Sequence, residues 1–479
     1  MVRFTGRREE MAALSKSFAA LSKGELILVY GRRRVGKTEL MREFLKTVPR
    51  EQGLYLYVQD GTPATKLRSL AQDVGREWPG ETPVFESWDD LYSFLERKAR
   101  EKGKLAVVID EFQRLHADPQ SLTKLQRAWD ERFKNLPIMI ILQGSSIGMI
   151  AKIAQNSRAP LFGRRTKEMR LEPFDYQAFR EALRHTRMSE EQVIELYATF
   201  GGIPAYLDLA ESTATKGFES VVSEAFLNKN GSLREEPQRL LNTELRETPR
   251  YWSILSAIAE GKEAPKEISD ATHLSAPVLQ NYSRKLKDLL GIVALKQPVL
   301  GKKKSTRYVM ADNLFRFWFR FIGKNAAALE LENYDSVKRA IKSEMPMLAS
   351  IAFEEIVIEL VKKLNGRDWN GMPVSVTELG SWWDRRGEQI DVCGHGGNKL
   401  LLGEVKWRNE PADAEVARNL MRKKTLLTRG TKLEQYPSEL FVVSKSGFTK
   451  SAKQFMQENA VHGFDLHDVS KALDSLTPE

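Results

Sequence analysis

A single cysteine, Cys393, stands in a chain of 479 residues. A lone thiol excludes an intrachain disulfide and a zinc-finger constellation, and it fits a reducing compartment. No apolar run is long enough to span a bilayer, and the opening stretch Met1-Val-Arg-Phe-Thr-Gly-Arg-Arg-Glu-Glu10 lacks the apolar segment of a secretory signal. There is no repeat of fixed period and no low-complexity tract. These absences lead to the expectation of a soluble, cytoplasmic protein with no membrane part. The length exceeds one compact core, so about three domains are expected. A formal net charge of +10 favours a polyanionic partner such as nucleic acid, provided that a local basic cluster exists to receive it.

What the chain does contain is organised around Glu25-Leu-Ile-Leu-Val-Tyr30, Gly31-Arg-Arg-Arg-Val-Gly-Lys-Thr38 and Glu39-Leu-Met-Arg-Glu-Phe-Leu45. The order is strand, phosphate loop, helix. Glycines such as Gly31 and Gly36 let the backbone wrap an anion, so that the amides of Val35, Gly36 and Lys37 and the start of the following helix face phosphate. Lys37 then reaches the β- and γ-phosphates of ATP, and Thr38 holds Mg2+. Downstream, Lys104-Leu-Ala-Val-Val-Ile-Asp110-Glu111 is an apolar strand that ends in two acids: Asp110 for the Mg2+ shell, Glu111 to polarise the attacking water. A third apolar strand, from Pro137, ends at Gly144-Ser145-Ser146. One of these serines is expected beside the γ-phosphate; a capped loop is the plainer reading. In Leu161-Phe-Gly-Arg164-Arg165, Arg164 is a candidate arginine finger, against the alternative of a solvated arginine pair.

Together with Phe4-Thr-Gly6-Arg7-Arg-Glu-Glu10, Gly144-Ser-Ser-Ile-Gly-Met149 and Gly201-Gly-Ile-Pro204-Ala-Tyr-Leu207, these boxes resemble the prokaryotic "archaeal ATPase" family, a STAND branch of the AAA-like P-loop ATPases. The resemblance covers residues 1 to about 240. It implies a parallel-sheet core, an adenine-side box at Gly6 and Arg7, and a helical lid whose Gly-Gly-x-Pro turn brings Pro204 to the nucleotide.

Residues 245–325 read as three helices followed by two short strands around Gly301-Lys302-Lys303-Lys304, the outline of a winged helix-turn-helix. Arg284, Lys285 and Lys287 on the third helix, with Lys302, Lys303, Lys304 and Arg307 in the wing, form a basic cluster that could meet DNA phosphates. The alternative is a module that packs on its own protein. The aromatic run Asp312-Asn-Leu-Phe-Arg-Phe-Trp-Phe-Arg-Phe321, read as a helix with one aromatic face inward, is expected to pack between domains rather than to stack on bases. A similar box recurs in the same ATPase family.

The last third has its own chemistry. Gln389-Ile-Asp391-Val-Cys393 and Lys399-Leu-Leu-Leu-Gly-Glu404-Val-Lys406 flank a Gly-rich turn and read as a hairpin. With the turn centred on Gly396 and Gly397, Asp391 faces Leu402 and lies diagonal to Glu404. Asp391, Glu404 and Lys406 then share a face, where two carboxylates can hold Mg2+ and a lysine can orient a water or offset phosphorane charge. With a helical acid at Glu354 or Glu355, the set resembles the PD-(D/E)XK nuclease superfamily, although Ile390 stands where a proline is usual. Charged residues on a solvated strand face are the bland reading.

The expected architecture is therefore α/β. A P-loop ATPase core (residues 1–172) and a helical lid (173–244) precede a winged helix-turn-helix (245–325) and an α/β restriction-endonuclease-like domain (326–479). The expected function is an ATPase that uses ATP and Mg2+ to control a Mg2+-dependent nuclease-like domain acting on nucleic acid, in defence or mobile-element biology. The alternative is a non-cleaving regulatory switch that binds DNA or protein. A homo-oligomer and a protein partner are both compatible with this reading.

Overall fold

The computed structural model describes residues 4–145, 161–245, 247–301 and 305–476. The chain forms two compact units, Met1–Phe174 with Ile203–Ala205, and Asp175–Gly202 with Tyr206–Glu479.

In the first unit the order is α1 (Arg8–Ala19), β1 (Glu25–Tyr30), α2 (Lys37–Lys46), β2 (Gly53–Tyr57), α3 (Pro63–Glu77), α4 (Trp88–Lys102), β3 (Leu105–Asp110), α5 (Pro119–Glu131), β4 (Ile138–Gly144) and β5 (Lys167–Arg170). The five strands run in parallel in the order β2-β3-β4-β1-β5. Every residue of β3 and β4 is buried. Helices cover both faces of such a sheet, which is why these strands are unbroken apolar runs rather than alternating ones. Local chemistry sets the helix starts. The Ser87 hydroxyl and Asp90 carboxylate form a reciprocal capping box for α4, and α2 begins on Gly36 at φ 83°, a conformation that costs glycine nothing. Because β4 lies between β1 and β3, its carboxyl end sits between the phosphate loop and Asp110.

The second unit begins with α6 (Tyr176–Leu183), α7 (Glu190–Phe200), α8 (Leu207–Lys216), α9 (Phe218–Val222) and α10 (Glu236–Glu244). Three further helices follow, α11 (Thr248–Ala259), α12 (Pro265–Thr272) and α13 (Ala276–Asp288), then the antiparallel pair β6 (Val293–Lys296) and β7 (Arg307–Met310). Next come α14 (Asn313–Phe317), capped by Asp312, then α15 (Ala326–Glu330) and the 30-residue α16 (Tyr334–Lys363). Phe315, Phe317, Trp318, Phe319 and Phe321 are all buried, and Trp252 packs edge-on to Trp318 at 5.3 Å. The aromatic run is helix packing.

After the two-residue strands β8 (Asp368–Trp369) and β9 (Met372–Pro373), a five-stranded mixed sheet closes the chain. It consists of β10 (Glu378–Trp383), β11 (Gln389–Gly396), β12 (Lys399–Lys406), β13 (Ser438–Ser444) and β14 (Val461–Asp465), in that order. The first three are antiparallel and the last three parallel. The parallel crossovers are α17 (Ala414–Thr428) and α18 (Lys450–Glu458), and α19 (Leu466–Ser475) ends the chain.

The β11–β12 register differs from the expected one. Cys393 opposes Leu402 and Gly396 opposes Lys399, so the turn is Gly397-Asn398. Both of those residues have positive φ, 56° and 61°, the twist-matched two-residue turn of a hairpin. Asp391 therefore stands level with Glu404 rather than with Leu402. The shift moves the partner by two residues, an even number, so the shared face of Asp391, Glu404 and Lys406 is preserved. Among the described residues no helix is long and apolar enough to cross a membrane.

Candidate functional site

The loop after β1 assembles the first cluster. Gly31 has no room for a side chain, since a Cβ there would lie 2.3 Å from the Leu171 carbonyl oxygen. Lys37 is buried and donates to the carbonyls of Gly31 and Arg32 at 2.9 and 3.0 Å, within the loop it serves. Arg7, in a left-handed turn after Gly6, donates to the carbonyl oxygens of Val35 at 2.9 Å and Glu172 at 2.6 Å and lies over the Phe174 ring. The amino-terminal box is thus tied to the phosphate loop. Pro204 also approaches it, 3.8 Å from where a Gly36 Cβ would stand.

Beside the loop, Thr38 Oγ1 donates to Asp110 Oδ2 at 3.3 Å. Asp110 also accepts from the Glu111 amide at 2.8 Å, from Gln143 Nε2 at 2.6 Å and from the Tyr55 hydroxyl. Burial, and then the Asp110 charge, push the Tyr55 phenol far above its ordinary value, so it is held as a donor. Glu111 accepts from Gln113 at 2.6 Å and from Ser145 Oγ at 3.1 Å. Ser146 lies outside the described residues. A cavity of about 500 Å³ opens here, lined by Thr38, Arg42, Tyr55, Tyr57 and Asp110 among others. Thr38 and Asp110 fit a hard cation such as Mg2+, which is held by few carboxylates and completed by water and phosphate. The Gln143 amide meets Asp110 and Thr38 through its Nε2, and its buried Oε1 has no partner among the described residues. Arg164 stands apart: its fork is engaged by Asp130 through two contacts of 2.9 and 2.8 Å.

Residues 4–209 match the family model of an ATPase domain predominantly from Archaea. With the loop geometry, this match supports ATP binding and ATPase activity for the first unit. Residues 318–419 match a second family, archaeal and bacterial proteins of unknown function, which spans the Asp391–Lys406 hairpin. An uncharacterized protein of Methanocaldococcus jannaschii is 29% identical over 476 residues, 98% of this chain and 100% of that protein. An uncharacterized ATP-binding protein of the same organism is 46% identical over 46 residues, 10% of this chain and 76% of its own length. Among solved structures, the Walker-type ATPase of Pyrococcus abyssi shares the fold, with TM-score 0.52 and 23% identity over 66% of this chain and 96% of that one.

The second cluster lies on the closing sheet. Asp391 and Glu404 are buried at 7% and 2% exposure, and Lys406 Nζ lies 3.1 Å from Asp391 Oδ2 and 2.7 Å from Glu404 Oε2. Asp391 Oδ2 also accepts from the Val405 amide at 2.9 Å. Burial, then the Asp391 charge, raise the Glu404 carboxyl. Burial opposes the charge on Lys406, but the two carboxylates outweigh it and raise its pKa. Glu354, on α16, is pushed up to about 8 by burial and then by Asp391. Glu355 instead pairs with Arg316 at 3.1 Å and Lys296 at 3.4 Å, which leaves Glu354 as the helical acid that senses the pair.

The expected three-carboxylate set is not drawn together: among the described residues no group of three or more His, Cys, Asp or Glu converges to hold a metal. Asp391 and Glu404 alone fit Mg2+, which takes one or two carboxylates and keeps its waters. Ser444, level with Lys406 on β13, buries a hydroxyl with no partner among the described residues, an unmet polar group on the same face.

On α13, Arg284, Lys285 and Lys287 are exposed. Arg307 is not. It lies over the Trp383 ring at 4.5 Å, donates to Gln389 and faces Glu263 at 3.5 Å. The hairpin's flank follows it onto the sheet: the Val299 amide donates to the Ser381 carbonyl, and the Val299 side chain is buried with Trp382 and Ile390. Lys302, Lys303 and Lys304 lie outside the described residues.

Three functional candidates escaped the sequence reading. Tyr55 and Gln143 converge on Asp110. Lys423, on α17, reaches Glu404 Oε1 at 2.7 Å. A lone glutamine ending an apolar run was the one available signal for the first cluster. A lysine on a charged helix gave none for the second.

Proposed function

We propose that this chain is a STAND-like ATP-driven switch that controls a Mg2+-dependent nuclease acting on DNA, built as ATPase core, lid, winged helix and PD-(D/E)XK-like domain. The observation that carries the nuclease reading is the burial of Asp391 and Glu404 on one sheet face, each in contact with Lys406. Buried carboxylates are costly to keep charged, and a buried group of charges that shift one another's titration marks a candidate functional site. A bound Mg2+ would supply Lewis acidity and an acidified water. Asp391 and Glu404 would hold it, and Lys406 would orient the scissile phosphate and offset the charge it gains. The exposed basic side chains of α13 would receive the phosphodiester backbone.

For the first unit the division of labour is Lys37 on phosphate, Thr38 and Asp110 on Mg2+, Glu111 on water and Ser145 on Glu111. A finger role for Arg164 requires release from Asp130, so an arginine of a second copy is an equal candidate.

The test is incubation of purified protein with linear, circular and single-stranded DNA and with RNA, across Mg2+, Mn2+ and ATP. Cleavage that Asp391→Asn abolishes is expected. Absence of cleavage on every substrate, even with Mn2+, supports instead a non-cleaving switch that binds DNA or protein. One observation favours that second reading: both oxygens of Glu404 are already held by ammonium groups.

A further inference from the structure

We infer that Lys423 competes with a divalent cation for Glu404: its ammonium holds Oε1, and a cation takes that oxygen only as the contact gives way. This rests on reading Asp391 and Glu404 as metal ligands.

The two ammonium groups on Glu404 have different origins. Lys406 stands two residues along the same strand, so the pleat alone puts it on the same face. Lys423 comes from α17, and its arrival depends on how that helix is seated. Ala417, Leu420 and Leu427 of α17 are buried in one core with Leu402 and Leu440 of the sheet. Next to Lys423, Arg422 grips Glu388 through two contacts of 2.8 and 3.0 Å, at the approach to β11. The helix is thereby anchored over the sheet, and Lys423 Nζ reaches Glu404 Oε1 at 2.7 Å while Lys406 Nζ takes Oε2 at 2.7 Å. Glu404 itself is 2% exposed, so water competes for neither oxygen.

Two carboxylates, Asp391 and Glu404, thus face two ammonium groups, Lys406 and Lys423. The cluster is balanced before any cation arrives. A divalent ion approaching Glu404 meets a like charge within a few ångströms, in surroundings where screening is weak. Removing Lys423 leaves the cluster net negative and frees Oε1. Lys423 acts through Glu404 and is a positioning residue, distinct from Lys406, which the proposed chemistry sets on the phosphate.

Mn2+ titration of the full-length protein without nucleotide, followed by the electron paramagnetic resonance of the free ion, reads this directly. Wild type, Lys423→Met and Lys423→Arg are compared, each with and without Asp391→Asn. Lys423→Met is expected to tighten Mn2+ binding by about tenfold, the effect of about one pK unit from a neighbouring charge. The gain disappears in the Asp391→Asn background, and Lys423→Arg restores the wild-type affinity. Equal affinity in Lys423→Met and wild type, with both weakened by Asp391→Asn, overturns the role of Lys423 and leaves the metal site standing. Binding that Asp391→Asn changes in no background removes the metal reading and the inference with it. ATP hydrolysis and thermal melting report folding, and Lys423→Gln replaces the methionine variant should that one melt early.

Discussion

Asp110 accepts from Thr38, Tyr55, Gln143 and the Glu111 amide, so both carboxylate oxygens are aimed before nucleotide chemistry begins. Gln143 is the hinge of that arrangement because its Nε2 also lies 3.4 Å from Thr38 Oγ1. Gln143→Leu keeps volume but withdraws a donor from a buried carboxylate, a loss of about 1.5–3 kcal/mol for a charged hydrogen bond. The expected outcome is a fall in kcat of about ten- to a hundredfold with ATP affinity little changed, read by phosphate release and nucleotide titration. Lys37→Ala should abolish hydrolysis outright, and a variant that retains it refutes the phosphate loop. Lys37 was readable from the fixed spacing of its loop, and Asp110 from its place at the end of an apolar run. Gln143 and Tyr55 were not: each is a single polar letter in a strand, and its role appears only once β4 lies between β1 and β3.

Secondary-structure elements show a different boundary of legibility. The shared face of Asp391, Glu404 and Lys406 survived an error in turn position because strand faces repeat every two residues and the error was two. Register is secured elsewhere, at Gly403, where a Cβ would stand 2.2 Å from the buried Phe441 ring. Gly403→Ala must push that ring or the strand and is expected to destabilise the protein by about 1–3 kcal/mol, measured by denaturant unfolding. A second test concerns α16, whose Lys363 holds Asp175 at 2.6 Å and Glu359 at 3.0 Å. Burial alone would raise the Asp175 carboxyl, but Lys363 and the helix-capping amide of Ala178 bring it below its ordinary value. A depressed carboxyl adds stability above its unfolded pKa, and that stability is lost as pH falls through the folded one. Lys363→Met removes that contribution and leaves two carboxylates facing each other. Its deficit against wild type should therefore be largest near neutral pH and should shrink on acidification below about pH 4, where both carboxyls are protonated in the unfolded chain. Unfolding curves at pH 7 and pH 3.5 check the sign. Glu359 and Lys363 are helical neighbours, but Asp175 lies 188 positions from Lys363, so its place in the cluster was not visible in the sequence.

At the scale of the molecule, the path of the chain between units was not legible in the order of its motifs. The sequence boxes announced two chemistries, but the segment Ile203–Ala205 belongs to the first unit while the residues on either side belong to the second. Gly201, just ahead of it, has φ 65° and ψ −170°, a conformation open essentially to glycine alone. Pro204, with its fixed φ, sits beside Gly36 at the head of the phosphate loop. The chain on both sides of this three-residue stretch continues into the unit that carries Asp391, Glu404 and Lys406. If the proposed switch works through this stretch, Pro204→Gly should keep ATP hydrolysis within a few-fold of wild type and lose the ATP dependence of phosphodiester cleavage. Lys37→Ala should lose both, and Asp391→Asn should lose cleavage while hydrolysis continues. Parallel assays of phosphate release and DNA cleavage, with ATP and with a non-hydrolysable analogue, separate the three patterns. Full ATP dependence in Pro204→Gly would assign the coupling to another route, and cleavage indifferent to nucleotide in wild type would leave two independent enzymes on one chain.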